Sequence, residues 1–205
     1  MSQRTSGVYF LTRISALYGS FQDLLGGTAA RRQLVSEYIR PREGERVIDL
    51  GCGPGAILPF LGGVSYTGID ENPGHIARAR QRNGGRGTFI AGDFAKALEQ
   101  SFGTFDLVLC LGLLHHLADA RASELLSLAR SLLASGGRMV AVDPAFTSDQ
   151  PRIARWLASR DSGQAVRSPD AYRQLVEPHF SRIETHVRHD LLRLPYTHHI
   201  LIAWR

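Results

Sequence analysis

Glu45-Arg46-Val47-Ile48-Asp49-Leu50-Gly51-Cys52-Gly53-Pro54-Gly55-Ala56 is the stretch around which the chain is organised. Val47 to Leu50 read as a short apolar strand, three alternate glycines follow at once, and Ala56-Ile57-Leu58-Pro59-Phe60-Leu61 reads as the opening of a helix. Strand, glycine turn and helix form the entry to a nucleotide-binding βαβ unit, because residues without Cβ let the backbone lie against a ligand. Gly51-x-Gly53-x-x-Ala56 also satisfies the loose dinucleotide fingerprint, so the glycines alone do not choose the ligand. Two neighbours help to choose it. Asp49 puts a carboxylate at the strand end, unfavourable to a pyrophosphate and suited to a ligand carrying an ammonium and a sulfonium. Pro54 removes one backbone N–H from the turn and weakens an anion cradle further.

Both features point to S-adenosylmethionine rather than NAD. Val47-Ile48-Asp49-Leu50-Gly51-Cys52-Gly53-Pro54-Gly55 resembles the first motif of class I S-adenosylmethionine-dependent methyltransferases. Later stretches are similar to that family in order, from about Glu45 to Pro144. The resemblance implies that Asp49, Gly51, Cys52, Gly53 and Gly55 belong to the cofactor-binding set.

Val64 to Asp70 reads as a second strand ending in an acid. Asp70 follows Gly51 by about the interval at which a carboxylate meets the two ribose hydroxyls of an adenine nucleoside. A carboxylate accepts from both at once, so geometry selects Asp or Glu there. Glu71 is counted with the same set and reads as an acid at a helix N-terminus; Asn72-Pro73 starts that helix, which runs through about Arg82. Thr88 to Ala91 is the third predicted strand, followed by Gly92-Asp93-Phe94. The resemblance implies that Asp93 bonds the adenine amino group and that Phe94 packs on the ring. Taken alone, Asp93 reads as the N-cap of a helix over Phe94–Gln100.

Phe105 to Leu117 is the second strong match and looks like the fourth strand and catalytic-face loop of the family. Asp106 begins the strand, far from the ligand, and reads as structural. Leu111-Gly112 are placed beside the sulfonium, where a small residue leaves room for the methyl group and its acceptor. His115 or His116 then faces the acceptor, with a buried, hydrogen-bonded structural histidine the plain alternative for each. A helix from Ala118 to Ala134 is expected to end at Ser135-Gly136-Gly137, before a fifth strand, Arg138 to Pro144, that leaves Asp143 at the cofactor edge. The alternation predicts an α/β, doubly wound, mostly parallel seven-stranded sheet with a C-terminal antiparallel strand, whose ligands lie outside the carboxyl ends of its strands. Asp49, Asp70, Asp93, Gly112 and Asp143 all fall at such ends.

Residues 1–44 read as an N-terminal helical cap, and 45–205 as the S-adenosylmethionine-binding domain with a helical insertion at about 145–177. Within the cap, Tyr18 and Gln22 lie one turn apart, so one helical face could show both to the substrate. A further helix, roughly Thr28 to Ile39, stops because Arg40 precedes Pro41. In the insertion, Gln150–Arg160 and Pro169–Val176 read as helices. Arg152, Arg155 and Trp156 are possible acceptor contacts; a solvated arginine face and a packed tryptophan are the plain alternative. Phe180–Arg188 and Thr197–Trp204 read as a closing antiparallel pair. If the first runs parallel to the core, the link between them overhangs the catalytic face, with Arg193 and Tyr196 as the best substrate-binding residues.

The 205 residues are ordinary for a globular protein, 43% hydrophobic and 21% charged, which argues against disorder. The net charge of +5 comes almost wholly from arginine, Lys96 being the only lysine; the arginines are dispersed, so nucleic acid is an unlikely partner. No apolar run approaches a membrane span, and the N-terminus lacks the apolar core of a secretion signal. Cys52 and Cys110 read as thiols of a cytoplasmic protein. No metal is expected: the chain lacks ligand-spaced Cys/His clusters, and adjacent His198 and His199 point to opposite faces of a strand.

The sequence therefore predicts an enzyme that moves the methyl group of S-adenosylmethionine to a small-molecule acceptor by in-line displacement, with O- or C-methylation favoured. The absence of an Asn/Asp-Pro-Pro-aromatic signature argues against amino methylation of a nucleic-acid base. A base is needed only if the nucleophile must lose a proton, and His115 is the catalytic candidate. An RNA methyltransferase, a non-catalytic S-adenosylmethionine-binding module and an NAD-dependent oxidoreductase are the rival readings. Oligomeric state and the acceptor's identity stay open.

Overall fold

The computed structural model describes residues 27–96, 102–160, 163 and 165–205. Its centre is a seven-stranded sheet: β1 (Arg46–Leu50), β2 (Ser65–Asp70), β3 (Thr88–Ala91), β4 (Phe105–Leu111), β5 (Leu133–Pro144), β6 (Arg182–Arg188) and β7 (His198–Trp204), in the order β3-β2-β1-β4-β5-β7-β6. The first five pair in parallel and β7 runs antiparallel between β5 and β6. The strand order reverses between β1 and β4, so the crevice of an open sheet opens outside the carboxyl ends of these two strands.

Val47, Ile48, Asp49 and Leu50 are all buried, as is expected of a central parallel strand covered on both faces. One face, with Ile48, Leu50, Cys110, Met139 and Ala141, packs on α3 (Asp119–Leu132) and α5 (Pro169–Val176). The other, with Val47, Leu109, Val140, Val142 and Ile200, packs on α1 (Gly27–Leu34) and α2 (Pro73–Asn83). The helix α4 (Arg152–Ser159) belongs to the insertion. Asn72 caps α2 by accepting from the Gly74 N–H at 2.9 Å, and left-handed Gly84 closes it. Among the described residues no helix is long and apolar enough to cross a membrane.

Two local expectations are corrected. The helix anticipated over Ala56–Leu61 is a single 3-10 turn, Leu58–Phe60: Pro59 has no N–H to donate and Gly62, at φ 73°, turns the chain away. The helix anticipated to run to Ala134 stops at Leu132, and β5 already begins at Leu133 opposite Phe105. The register shifts between Phe105 and Leu107, and Gly136, at φ 75°, lies in the extra length of β5 that this bulge absorbs. The cap helix ends in a π turn, Val35–Ile39, and Arg40 leaves it left-handed at φ 45° with its N–H donated to the Val35 carbonyl. The expected helix over Phe94–Gln100 falls largely outside the described residues.

Candidate functional site

The glycine turn after β1 is built from three left-handed residues, Gly51, Gly53 and Gly55, at φ 73°, 52° and 63°. Two of them are also closely packed against side chains. A Cβ on Gly55 would lie 2.7 Å from Asn83 Nδ2, and one on Gly51 would lie 3.0 Å from Leu113 Cδ1. A Cβ on Gly53 would meet nothing within 4 Å, so the middle of the turn borders open space.

Asp70, at the end of β2, ties this turn down. Its Oδ2 accepts from the Gly53 N–H at 2.8 Å, and its Oδ1 accepts from the Asn72 N–H at 2.9 Å and meets His75 Nδ1 at 3.1 Å. Burial pushes this carboxyl up, but the bonds from His75, Asn72 and Gly53 outweigh it and hold the pKa below the usual range. A carboxylate offers about four acceptor positions. One remains for a ribose hydroxyl, and a second opens if His75 turns away.

Asp49 is 2% exposed. The Tyr66 hydroxyl donates to its Oδ2 at 2.6 Å, while its Oδ1 is buried with no hydrogen-bond partner among the described residues. Burial, with a smaller push from Asp70, raises this carboxyl to about 7 against the pull of the Tyr66 bond. A buried acceptor left open beside a glycine turn fits the ammonium of S-adenosylmethionine and does not fit a phosphate. The Cys52 thiol faces elsewhere: a Cβ on Gly68 would lie 2.8 Å from its Sγ, and its N–H donates to the Ile69 carbonyl. Cys52 therefore shapes the turn without offering its side chain to a ligand. Glu71 is exposed, next to the α2 cap.

At the end of β3, Asp93 accepts from the Ala95 N–H at 3.0 Å, the local capping that the sequence suggests. Its carboxylate also accepts from Arg121 on α3, whose guanidinium carbon sits 4.0 Å from the centroid of the Phe94 ring. Nothing in the sequence reading singles out Arg121. Gly112, at φ 72°, follows half-buried Leu111 at the end of β4, and its N–H donates to the Val142 carbonyl at 2.7 Å.

The two adjacent histidines separate clearly. His115 is 5% exposed; its Nδ1 lies 2.7 Å from Asp143 Oδ1, and its backbone N–H donates to the same oxygen at 3.1 Å. His116 is exposed, its ring centroid 4.1 Å from that of His115. The insertion covers His115: a Cβ on Gly163 would fall on its imidazole, and the Ala165 N–H donates to the His115 carbonyl at 2.9 Å. Arg167 locks the same segment by donating to the Leu114 and Leu117 carbonyls at 3.0 and 2.7 Å and to Asp119. This His115–Asp143 pair joins residues of two different strand ends, and the sequence gives no sign of it beyond placing both at the edge.

On β7, His199 stacks on Tyr172 at 5.2 Å between ring centroids, and the Tyr172 hydroxyl donates to the Pro144 carbonyl. Burial drives both His198 and His199 down to about 4. β6 does run parallel to the core strands, so the link between β6 and β7 lies at the catalytic edge, with Arg193 exposed and Tyr196 beside His198. For Trp156 the plain alternative of a packed residue falls: it is 55% exposed on α4, as is Ile153 at 54%. Arg155 donates to the Thr147 carbonyl and lies over Phe146. Tyr18 and Gln22 lie outside the described residues. Among the described residues no cluster of three or more His, Cys, Asp or Glu side chains could hold a metal ion.

Residues 47–137 match a family model described as a methyltransferase domain. An uncharacterized methyltransferase of Synechocystis sp. is 31% identical over 121 residues, covering 58% of this chain and 56% of that protein. A ubiquinone biosynthesis O-methyltransferase of Maricaulis maris is 31% identical over 154 residues, covering 73% of this chain and 59% of that protein. The chain thus spans little more than half the length of these curated relatives. Among solved structures, the plantazolicin methyltransferase BamL, in complex with a triazolic desmethylPZN analog and SAH, superposes with a TM-score of 0.67 at 15% identity, over 93% of this chain and 90% of that one. That likeness speaks for the fold, and the family model and curated relatives speak for the sequence. With the glycine turn and its acids, they identify residues 47–137 as a methyltransferase domain of the class I S-adenosylmethionine-dependent kind.

Proposed function

We propose that the protein transfers the methyl group of S-adenosylmethionine to a small-molecule acceptor. The observation that carries this reading is the buried, half-satisfied carboxylate of Asp49 beside the left-handed glycine turn. It is a cation-accepting position where a dinucleotide site would need anion donors. Asp70 would hold the ribose, and Asp93 and Phe94 the adenine. The cofactor supplies an electrophilic methyl group on a sulfonium, whose charge disappears as the methyl leaves. The protein's part is to align the acceptor with that methyl and to exclude water.

Oxygen or carbon is the favoured methylated atom; the curated relative from Maricaulis maris is itself named an O-methyltransferase. Such an acceptor loses a proton, and His115 is the group to take it. Asp143 holds its Nδ1, so the exchange passes through Nε2, and the aspartate stabilises the imidazolium that forms. Because Gly163 covers the ring, the insertion must shift for the acceptor to reach it. Arg193 and Tyr196, at the same edge, are proposed to line the acceptor pocket.

Calorimetry with S-adenosylhomocysteine and NAD comes first; tighter binding of NAD overturns the reading. Radiolabelled methyl transfer into fractionated host metabolites then identifies the acceptor. Tight cofactor binding with no labelled product across a broad panel would leave a binding module instead.

A further inference from the structure

Arg121 makes both of the contacts that an adenine ring would make. Its guanidinium lies over Phe94, with its central carbon 4.0 Å from the ring centroid, and its N–H groups donate to the Asp93 carboxylate. Adenine offers the same two features, a flat face for the phenyl ring and an exocyclic amino donor for the acid. At that separation only one planar group fits on this face of Phe94.

Resting on the cofactor reading above, we propose that Arg121 is a built-in competitor for the adenine subsite, displaced when S-adenosylmethionine or S-adenosylhomocysteine binds. The residue it retreats to is already in place. Glu124, one turn along α3, accepts from Arg121 in the present arrangement, so an arginine released from Asp93 keeps a charged partner. The side chain is 38% exposed and sits in the first turn of α3, so the exchange is a side-chain swing that needs no movement of the backbone. An exposed ion pair and a cation–π contact are each weak. Arg121 therefore lowers affinity for the adenine moiety without blocking it, and re-entry of the guanidinium helps S-adenosylhomocysteine leave after transfer.

Titrating the wild-type chain, Arg121→Ala and Arg121→Lys with S-adenosylhomocysteine and with adenosine tests this. Arg121→Ala should bind both about 3–10-fold more tightly, and Arg121→Lys, which keeps the charge and loses the plane, should fall between. Added salt should tighten adenosine binding to the wild type by screening the Arg121–Asp93 pair, and should have little effect on Arg121→Ala. Unchanged affinity in Arg121→Ala overturns the proposal. Weaker binding overturns it too, for Arg121 would then cover the adenine. Failure of the wild type to bind either probe is a different result: it removes the cofactor reading and leaves Arg121 and Asp93 as a surface ion pair.

Discussion

The two ends of the catalytic edge are built on opposite principles. Around β1 and β2 the backbone defines the site through a turn of left-handed glycines, and polar groups are left over: an Asp49 oxygen without a partner among the described residues and an Asp70 carboxylate with acceptor capacity in reserve. Around β5, β7 and the insertion, side chains define it and the catalytic candidate is already engaged, while His198 Nδ1 and His199 Nε2 stay buried with no partner among the described residues. Asp143 holds His115, Tyr172 stacks on His199, and Arg167 fastens four acceptors. A pre-formed cradle with vacant hydrogen-bonding positions suits a ligand that is always the same. On the proposed reading, the network around His115 would have to open for an acceptor to reach it.

That contrast breaks first, and most visibly, at Asp70. Replacing it with alanine removes the proposed ribose acceptor together with the anchors of the Gly53 and Asn72 N–H groups. Loss of charged hydrogen bonds on this scale should weaken S-adenosylhomocysteine binding about 100-fold or more by calorimetry. Unchanged affinity would strike out the ribose role.

On the other side, His115→Ala should lower kcat about 100-fold while leaving S-adenosylhomocysteine affinity within about 2-fold. Asp143→Asn should lower kcat too and shift the pH profile of the remaining activity, because it changes which tautomer His115 holds. If cofactor affinity falls with kcat in both variants, the two ends of the edge are not separable and the comparison fails. Gly55→Ala probes the cradle's backbone by itself. A side chain at φ 63°, 2.7 Å from Asn83 Nδ2, should cost about 2–4 kcal/mol in urea unfolding. A cost below about 1 kcal/mol would mean that the turn can relax.

The same difference explains what the sequence disclosed. A glycine held at positive φ constrains residue type at one position, so Gly51, Gly53 and Gly55 advertise the cradle directly. Asp70 is legible because one βα unit fixes its distance from them, and the strand order follows from alternating elements. The His115–Asp143 pair and the Arg121–Asp93 contact each join residues 28 positions apart in the chain through tertiary packing, which no local pattern records. For Trp156 the sequence leaves two readings, an acceptor contact or packing, because only the fold says whether another element covers it, and here α4 leaves it exposed. Pro59 was a signal in plain view: it sits where the first helix should run, and that helix is reduced to one turn.

The gentlest test of the comparison is the pH dependence of stability, where the two ends pull in opposite directions. Asp49 is raised from 3.8 to about 7 in the folded protein, so between those values the folded state holds a proton that the unfolded chain has lost. Its contribution is full at the acid end of that window and is lost as pH rises to about 7. His198 and His199 are lowered from 6.5 to about 4, so their contribution is present above 6.5 and is lost as pH falls toward 4. From pH 4 to 6.5 the two histidines outweigh the single aspartate and stability climbs. Just above 6.5 their part is complete, and only the decline from Asp49 continues. Asp49→Asn removes that opposing slope, so its stability relative to wild type should grow with pH up to about 7 and then level off. Urea unfolding of both proteins at a series of pH values reads the difference directly, since the remaining carboxylates contribute equally to each. Parallel profiles would show that Asp49 does not titrate in this window. Below pH 7, a cationic ligand seated on Asp49 should also expel its proton, so the heat of S-adenosylhomocysteine binding should depend on the buffer in the wild type and lose that dependence in Asp49→Asn.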